Sequence, residues 1–213
     1  GIEPLKQLID LQLEMSQTTL SYPLIFHAID SEAARIILDD EQLTVTSIPL
    51  NHRVPTCGFL ISEKLSLRKI RKDFVKNVKV PVPFYDQIRK GEDYIDENGA
   101  VFPNGLITED PPPAKSYAYC TDTAFHEPII PVIRNCDLLY HEATFMEDKA
   151  EDARAKFHST AREAATIAQR ANAKKLVIGH FSARYNDAEG LLMESKEVFP
   201  ETILATDGLK IEV

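Results

Sequence analysis

The stretch KSYAYCTDT, residues 115–123, decides the fold class of this chain. Its first part, Ser116 to Cys120, alternates aromatic with small residues, as a β-strand inside a sheet does. Asp122 follows this predicted strand almost directly. A side chain just beyond the C-terminal end of a buried strand lies at the edge of the sheet, where sites form in α/β proteins. The stretch therefore predicts a strand of a central sheet and a candidate site residue at its end.

Two histidines hold comparable positions relative to predicted strands. His52 follows the strand 43–50, and His180 follows the strand 175–179. Imidazole nitrogens and carboxylate oxygens suit Zn²⁺ or Mn²⁺ better than Ca²⁺ or Cu⁺. His52, Asp122 and His180 are therefore candidate metal ligands, although three residues scattered along a chain do not define a metal site by themselves.

Composition favours one soluble globular domain. The chain has 213 residues, of which 44% are hydrophobic and 27% charged, enough for a real core. No apolar run approaches the ~20 residues that cross a membrane, and the first residues have no signal-peptide layout. The three cysteines are far apart and indicate free thiols in a reducing compartment. We therefore expect a cytoplasmic protein with no membrane association.

Predicted strands and helices alternate from Ser116 onward, which indicates an α/β fold. Ser159 or Thr160, with Glu163 nearby, forms a helix-capping signal. Residues 63–115 are less regular and indicate an insertion, not a second domain. The predicted helices are 2–17, 85–89, 127–135, 161–171 and 190–198. The other predicted strands are 24–29, 57–62, 138–140, 202–205 and 209–213.

One basic run departs from the net charge of −9. Lys64 to Lys79 carries seven basic residues against one acidic residue, Asp73. The run predicts either a solvated helix face or a segment that contacts phosphate groups. Composition alone leaves both interpretations open.

Six segments occur in an order that closely resembles the bacterial ribonuclease Z family, tRNA 3′-processing endonucleases of the metallo-β-lactamase superfamily. They are LSYPLIF (20–26), NHRVPTCGF (51–59), TDT (121–123), HEATF (141–145), HSTAREAA (158–165) and GHFSARY (179–185). The resemblance covers nearly the whole chain. It implies the C-terminal part of an αββα sandwich and, for the full enzyme, a metal-dependent hydrolase that removes 3′ trailers from tRNA precursors.

The resemblance also implies roles for five residues. Two metal ions, usually zinc and alternatively manganese, would bind the scissile phosphate and activate water. His52, Asp122 and His180 match the family's later metal ligands. His158 matches a histidine that assists proton transfer or holds the phosphate. Glu142 is expected to orient His158 or His180.

The sequence departs from the family pattern in two places. No His-x-His occurs, so the HxHxDH metal cluster with its general-base aspartate is absent. We therefore expect residues 1–213 to be the C-terminal portion of an incomplete sandwich, a fragment without hydrolase activity of its own. The aspartate motif reads TDTA, where the family often has glycine before the aspartate and arginine after DT.

The family resemblance favours the phosphate-contacting interpretation of the basic run. In the family, a flexible arm between the strands of His52 and Asp122 grips tRNA. An arm at about 63–80 is expected to do so here through phosphate and shape recognition. The candidate RNA-binding residues are Arg68, Lys69, Arg71 and Lys72.

Two other functions compete with this interpretation. One is a small-substrate phosphodiesterase of the same superfamily, for which a basic arm would have no use. The other is a non-catalytic half-domain that acts as a dimerisation or interaction module, because half of a sandwich leaves an apolar sheet face bare. On that ground we expect a homodimer.

Overall fold

The computed structural model describes residues 2–213, and within them the chain forms seven α-helices and eleven strands. The helices are α1 (Ile2–Met15), α2 (Lys72–Val78), α3 (Tyr85–Arg89), α4 (Asn104–Ile107), α5 (Ala150–Lys156), α6 (Ala161–Arg170) and α7 (Glu189–Val198). The strands are β1 (Ile36–Asp39), β2 (Leu43–Leu50), β3 (Thr56–Glu63), β4 (Lys69–Ile70), β5 (Tyr94–Ile95), β6 (Val101–Phe102), β7 (Thr108–Glu109), β8 (Ser116–Cys120), β9 (Leu138–Glu142), β10 (Lys175–Gly179) and β11 (Thr202–Leu204).

Seven of these strands form one mixed sheet in the order β1-β2-β3-β8-β9-β10-β11. Strands β8 to β11 are parallel, whereas β3 is antiparallel to both β2 and β8. Strand β2 therefore runs in the same direction as β8, β9 and β10. The C-terminal ends of these four strands meet at one edge of the sheet, as the positions of the candidate site residues predict.

Helix α6 covers one face of this sheet. Leu139 of β9 and Ile178 of β10 are fully buried, in the same core cluster as Ala164 and Ala168 of the helix. Small alanine side chains let the helix approach the sheet closely at native packing density. This packing fixes the start of α6 relative to the ends of β9 and β10.

The start of α6 is held by a capping box. The Thr160 hydroxyl accepts a hydrogen bond from the Glu163 amide, and the Glu163 carboxylate accepts one from the Thr160 amide. Two otherwise unpaired amides of the first turn are thereby satisfied. The predicted cap is confirmed, with Thr160 as the capping residue.

The opposite face of the sheet is aromatic and more open. Tyr117 and Tyr119 alternate with buried Ala118 along β8. Tyr119 is stacked on Tyr140 of β9 with ring centroids 4.8 Å apart, yet it is 37% exposed. Burial and the neighbouring tyrosines raise the pKa of Tyr117 to about 12. This face carries apolar surface that the described residues leave partly uncovered.

The predicted arm at about 63–80 belongs to a larger folded unit between β3 and β8, and we call this whole unit (residues 64–113) the arm. Two short antiparallel pairs, β4 with β7 and β5 with β6, stand among α2, α3 and α4. The arm has a hydrophobic cluster of its own, separate from the main core; its buried members are Val80, Ile88, Tyr94 and Ile107. The insertion is therefore more regular than its sequence predicts.

Most predicted elements are confirmed, and three are wrong. Residues 24–29 form no strand, because no neighbouring strand pairs with them. The predicted helix 127–135 is only a 3₁₀ turn at Glu127–Ile129, since Pro128 and Pro131 lack amide hydrogens. Residues 209–213 follow a turn at Gly208, whose φ is 79°, and join no sheet. In the part of the chain that the structure describes, every helix is too short or too polar to span a bilayer.

Candidate metal centre

The candidate site lies where β2, β8, β9 and β10 end. Asp122 stands two residues after β8, Glu142 is the last residue of β9, and His180 directly follows β10. His158 reaches the same edge from the segment that leads into α6. Because each residue sits at the end of a packed element, the backbone holds all four in fixed positions.

Asp122, His158 and His180 together can hold a metal ion. Each offers one ligand atom, and these atoms all lie within 4.8 Å of one another. The Nε2 atom of His180 is 3.5 Å from Oδ1 of Asp122. The side chains of Asp122 and His180 are 44% and 42% exposed, so the group is open to a ligand from solvent. Two imidazoles and one carboxylate are ligands that Zn²⁺ and Mn²⁺ accept.

His52 lies beside this group. Its ring centroid is 5.5 Å from that of His158, whose own centroid is 5.2 Å from that of His180. Among residues 2–213, His52 is outside the three-residue group that can hold one ion. The site therefore brings the three histidines close together, with Asp122 beside His180.

The hydrogen bonds of two rings define which nitrogen carries the hydrogen. Nδ1 of His52 is 3.1 Å from the Phe157 carbonyl oxygen, and Nδ1 of His158 is 3.0 Å from a Glu142 carboxylate oxygen. Both partners can only accept, so each Nδ1 carries the hydrogen and donates it. Each Nε2 then keeps its lone pair. Outer partners of this kind orient an imidazole so that its Nε2 can bind a metal ion or exchange a proton.

Glu142 is the buried centre of this arrangement, with no exposed surface. Its carboxylate accepts hydrogen bonds from the Thr123 amide at 2.6 Å and the Ser159 amide at 3.1 Å. It also accepts from the Thr144 hydroxyl at 2.6 Å and from His158. A buried carboxylate is stable only when its oxygens are satisfied in this way. Glu142 therefore ties together the loops that carry the candidate ligands.

The candidate RNA-binding residues divide into two pairs. Arg68 donates to the Thr108 hydroxyl at 2.7 Å and forms an ion pair with Asp110, while Arg71 donates to the Thr108 carbonyl at 3.3 Å. These contacts hold β4 against β7 inside the arm. Lys69 and Lys72 are exposed, and within residues 2–213 no side-chain hydrogen bond or ion pair engages them. Their charges face solvent.

The chain matches known proteins along most of its length. A family model described as the beta-lactamase superfamily domain matches residues 96–181. Ribonuclease Z of Parabacteroides distasonis is 46% identical over 194 residues, which cover 91% of this chain and 64% of the relative. Ribonuclease Z of Bacteroides fragilis is 44% identical over 209 residues, which cover 98% of this chain and 69% of the relative.

The chain belongs to the ribonuclease Z family. It spans about two thirds of the length of these relatives, 64% of one and 69% of the other. The crystal structure of human tRNase Z, short form, aligns with a TM-score of 0.59 at 24% identity, over 98% of this chain and 64% of that one. This alignment supports the fold alone. The α/β metallo-β-lactamase fold, covered in part, is confirmed.

The ribonuclease Z segments of the sequence meet at Glu142. TDT supplies the Thr123 amide, HST supplies His158 and the Ser159 amide, and HEAT supplies the Thr144 hydroxyl. The sequence alone indicated no role for Thr123 or Thr144, and for Ser159 only a capping role that Thr160 fills instead. Their presence in the recurring segments was the signal that could have found them.

Two residues of the GHFSARY segment have partners inside the protein. Arg184 donates to Asp152 at 2.7 Å and lies over the Phe145 ring, 5.8 Å from its centroid. The Tyr185 hydroxyl accepts from the Met146 amide at 2.9 Å. Both residues therefore stabilise the loops beside the candidate metal centre.

Proposed function

We propose that this chain carries part of the active site of a metal-dependent endoribonuclease that removes the 3′ trailer from tRNA precursors in the cytoplasm. The observation that supports this most is the meeting of Asp122 and His180, 3.5 Å apart, with His158 held beside them by Glu142. The chain's membership of the ribonuclease Z family is the second support for this proposal. The three free cysteines suit a reducing compartment.

His52, Asp122 and His180 are the proposed metal ligands, with zinc as the expected ion and manganese as the alternative. Such ions polarise phosphoryl oxygens and lower the pKa of a bound water. Asp122 offers two carboxylate oxygens, and its exposure of 44% leaves both approachable. His52 and His180 are both neighbours of His158, at ring-centroid distances of 5.5 and 5.2 Å.

His158 is the proposed acid–base residue. Its Nδ1 hydrogen is donated to Glu142, so the ring is oriented and a proton can be given or taken at Nε2. Glu142 is buried and does not reach the substrate; it orients His158 and stabilises the ring when the ring is charged. The leaving 3′ oxygen of the tRNA would receive its proton from this position.

The arm is proposed to bind the tRNA part of the substrate away from the cleavage site. Lys69 and Lys72 are exposed on it and suit phosphate contacts, which need charge but no base recognition. Arg68 and Arg71 support the arm from within, through their contacts with Thr108. A small ester would gain nothing from such a surface.

Zinc titration by calorimetry tests the metal assignment. Asp122→Asn and His180→Gln should lose zinc binding, whereas His158→Gln should keep it. A wild-type chain that binds neither zinc nor manganese would contradict the proposed metal centre. Loss of affinity in His158→Gln equal to that in His180→Gln would make His158 a ligand and contradict its acid–base role.

A tRNA precursor with a 3′ trailer tests the substrate. We expect the chain to bind it in the low-salt range, and to cleave none of it, since the sequence contains no His-x-His segment to complete two metal sites. Equal affinity for the precursor and for an unstructured RNA of the same length would contradict the substrate assignment. Cleavage that disappears in Asp122→Asn would contradict the expected inactivity.

A second candidate function is self-association through the open face of the sheet. Tyr119 and Ile61 are 37% and 36% exposed there, although both belong to central strands. In a sandwich, the inner face of each sheet is buried against the other sheet. Sedimentation at several concentrations tests this. Homodimers that dissociate in Tyr119→Lys would support it, and monomers at all concentrations would contradict it.

A further inference from the structure

Thr144 has an unusual place between Glu142 and His180. Its side chain is buried, with the residue 7% exposed. The hydroxyl oxygen lies 2.6 Å from a carboxylate oxygen of Glu142, 2.9 Å from the backbone oxygen of His180 and 3.0 Å from Nδ1 of His180. One hydroxyl thus touches both the main chain and the ring of a proposed metal ligand.

Counting hydrogens decides the direction of these bonds. A threonine hydroxyl has one hydrogen to donate and lone pairs that accept. Glu142 is the closest partner and carries the charge, so the short bond at 2.6 Å takes the hydroxyl hydrogen. The lone pairs of the oxygen are then left for Nδ1 of His180. Nδ1 must bring the hydrogen to that contact, because an unprotonated Nδ1 would face an oxygen with no hydrogen to give.

A hydrogen on Nδ1 of His180 determines the state of the other ring nitrogen, Nε2. With its hydrogen on Nδ1, a neutral His180 keeps a lone pair on Nε2, which is 3.5 Å from Oδ1 of Asp122. Without Thr144, the next acceptor for Nδ1 is Glu142 at 4.0 Å, beyond hydrogen-bond range. The ring would then be free to move its hydrogen to Nε2 and donate it towards Asp122.

We propose that Thr144 is a positioning residue that sets the Nδ1–H tautomer of His180 and directs Nε2 towards the metal centre. The meaning of this for catalysis rests on the proposed function, but the tautomer itself does not. His52 and His158 have the same tautomer, set by a carbonyl and a carboxylate. His180 differs because its Nδ1 contacts the Thr144 hydroxyl, which in turn donates its hydrogen to Glu142.

The experiment compares Thr144→Val, which removes the hydroxyl at nearly constant shape, with Thr144→Ser, which keeps it. Histidine ¹⁵N NMR is recorded on the metal-free chain at about pH 8, where an ordinary imidazole is neutral. The signal of His180 is the one missing from His180→Gln. We expect the Nδ1–H tautomer in the wild type and in Thr144→Ser, and a shift towards Nε2–H in Thr144→Val.

Zinc affinity gives the second readout. Thr144→Val should weaken zinc binding about 10- to 100-fold, as loss of an outer-sphere partner does, and Thr144→Ser should restore it. The matched control is Thr166→Val, which removes a hydroxyl bonded to the Arg162 carbonyl on α6, away from the site. It should leave both the His180 tautomer and zinc affinity unchanged.

The outcomes separate the two proposals. An Nε2–H tautomer of His180 in the wild type, or the same tautomer in wild type and Thr144→Val, overturns the role of Thr144. A wild-type chain with the Nδ1–H tautomer and no affinity for zinc upholds the role of Thr144 and contradicts the proposed metal centre instead.

Discussion

Asp122 and His180 face each other across 3.5 Å, and both have a left-handed backbone, with φ of 55° and 60°. Residues other than glycine seldom adopt this conformation, although Asp, Asn and His tolerate it better than most. The two facing side chains therefore come from strand ends that turn sharply and carry local strain.

Two substitutions at Asp122 separate the energetic cost of its positive φ from the effect of its charge. Asp122→Asn keeps a side chain that tolerates positive φ, so its free energy of unfolding should stay within about 0.5 kcal/mol of the wild type. Asp122→Ala should cost about 1 kcal/mol, because alanine gains nothing locally in that conformation. Urea unfolding measures both. Equal stability of the two variants would show that the φ of Asp122 carries no cost.

Glu142→Gln should be strongly destabilising. The carboxylate accepts from two amides, one hydroxyl and one imidazole, whereas a glutamine has a single acceptor oxygen and an NH₂ group that would face donors. Leaving buried donors unpaired costs about 1–3 kcal/mol each, so we expect a loss of about 3 kcal/mol in urea unfolding. Glu151→Gln, on the exposed side of α5, is the control. A loss no larger than that of the control would remove Glu142 from the structural centre of the site.

Asp137 should make stability depend on acid pH. Burial raises the pKa of this carboxyl, but Lys174 at 2.6 Å and the Ser116 hydroxyl and amide at 2.9 and 2.8 Å outweigh it, so the pKa falls below its usual 3.8. A group whose pKa is lower in the folded state stabilises the fold above its unfolded pKa. That stabilisation is lost as the pH falls through the folded pKa.

Thermal unfolding between about pH 5 and pH 2 measures this effect. Asp137→Asn should be less stable than the wild type at the upper end, and the difference should shrink towards the lower end. Asp148→Asn, an exposed acid in a 3₁₀ turn, serves as the matched substitution. A constant gap between wild type and Asp137→Asn across this range would contradict the linkage.

The two pairs of arm residues should behave differently. Lys69→Glu combined with Lys72→Glu should weaken binding of a tRNA precursor and reduce the salt slope of its affinity by roughly one to two, as loss of two phosphate contacts implies. Stability should not change. Lys196→Glu combined with Lys210→Glu makes the same charge change on exposed sites elsewhere. An equal loss of affinity in both double variants would mean that net charge, and not the arm, controls binding.

Arg68→Ala should act through the fold of the arm. It removes the hydrogen bond to Thr108 and the ion pair with Asp110 that hold β4 to β7. Amide hydrogen exchange in residues 69–70 and 108–109 should become faster, with little change in β8 to β10. Unchanged exchange in the arm would place Arg68 with the two lysines as a surface cation.

The sequence predicted the strands of the main sheet well because their apolar patterns and their ends are local features. Asp122 and His180 could be placed at one edge for the same reason. The wrong strand at 24–29 shows the limit, since β-propensity describes a residue's preference and not whether a partner strand exists. The contact of Thr144 with His180 could not be predicted, because it joins residues 36 apart through loops whose approach depends on the whole core.

The convergence of hydrogen bonds on Glu142 has a consequence for how the molecule responds to damage. A single buried anion is shared by segments spread over residues 123 to 159, so we expect this edge of the sheet to open and close as one cooperative unit. If the proposed metal ion binds at this edge, a mutation in any of these segments should lower its affinity even where the mutated residue is not a ligand. Such an ion should in return protect these segments from local opening and from proteases.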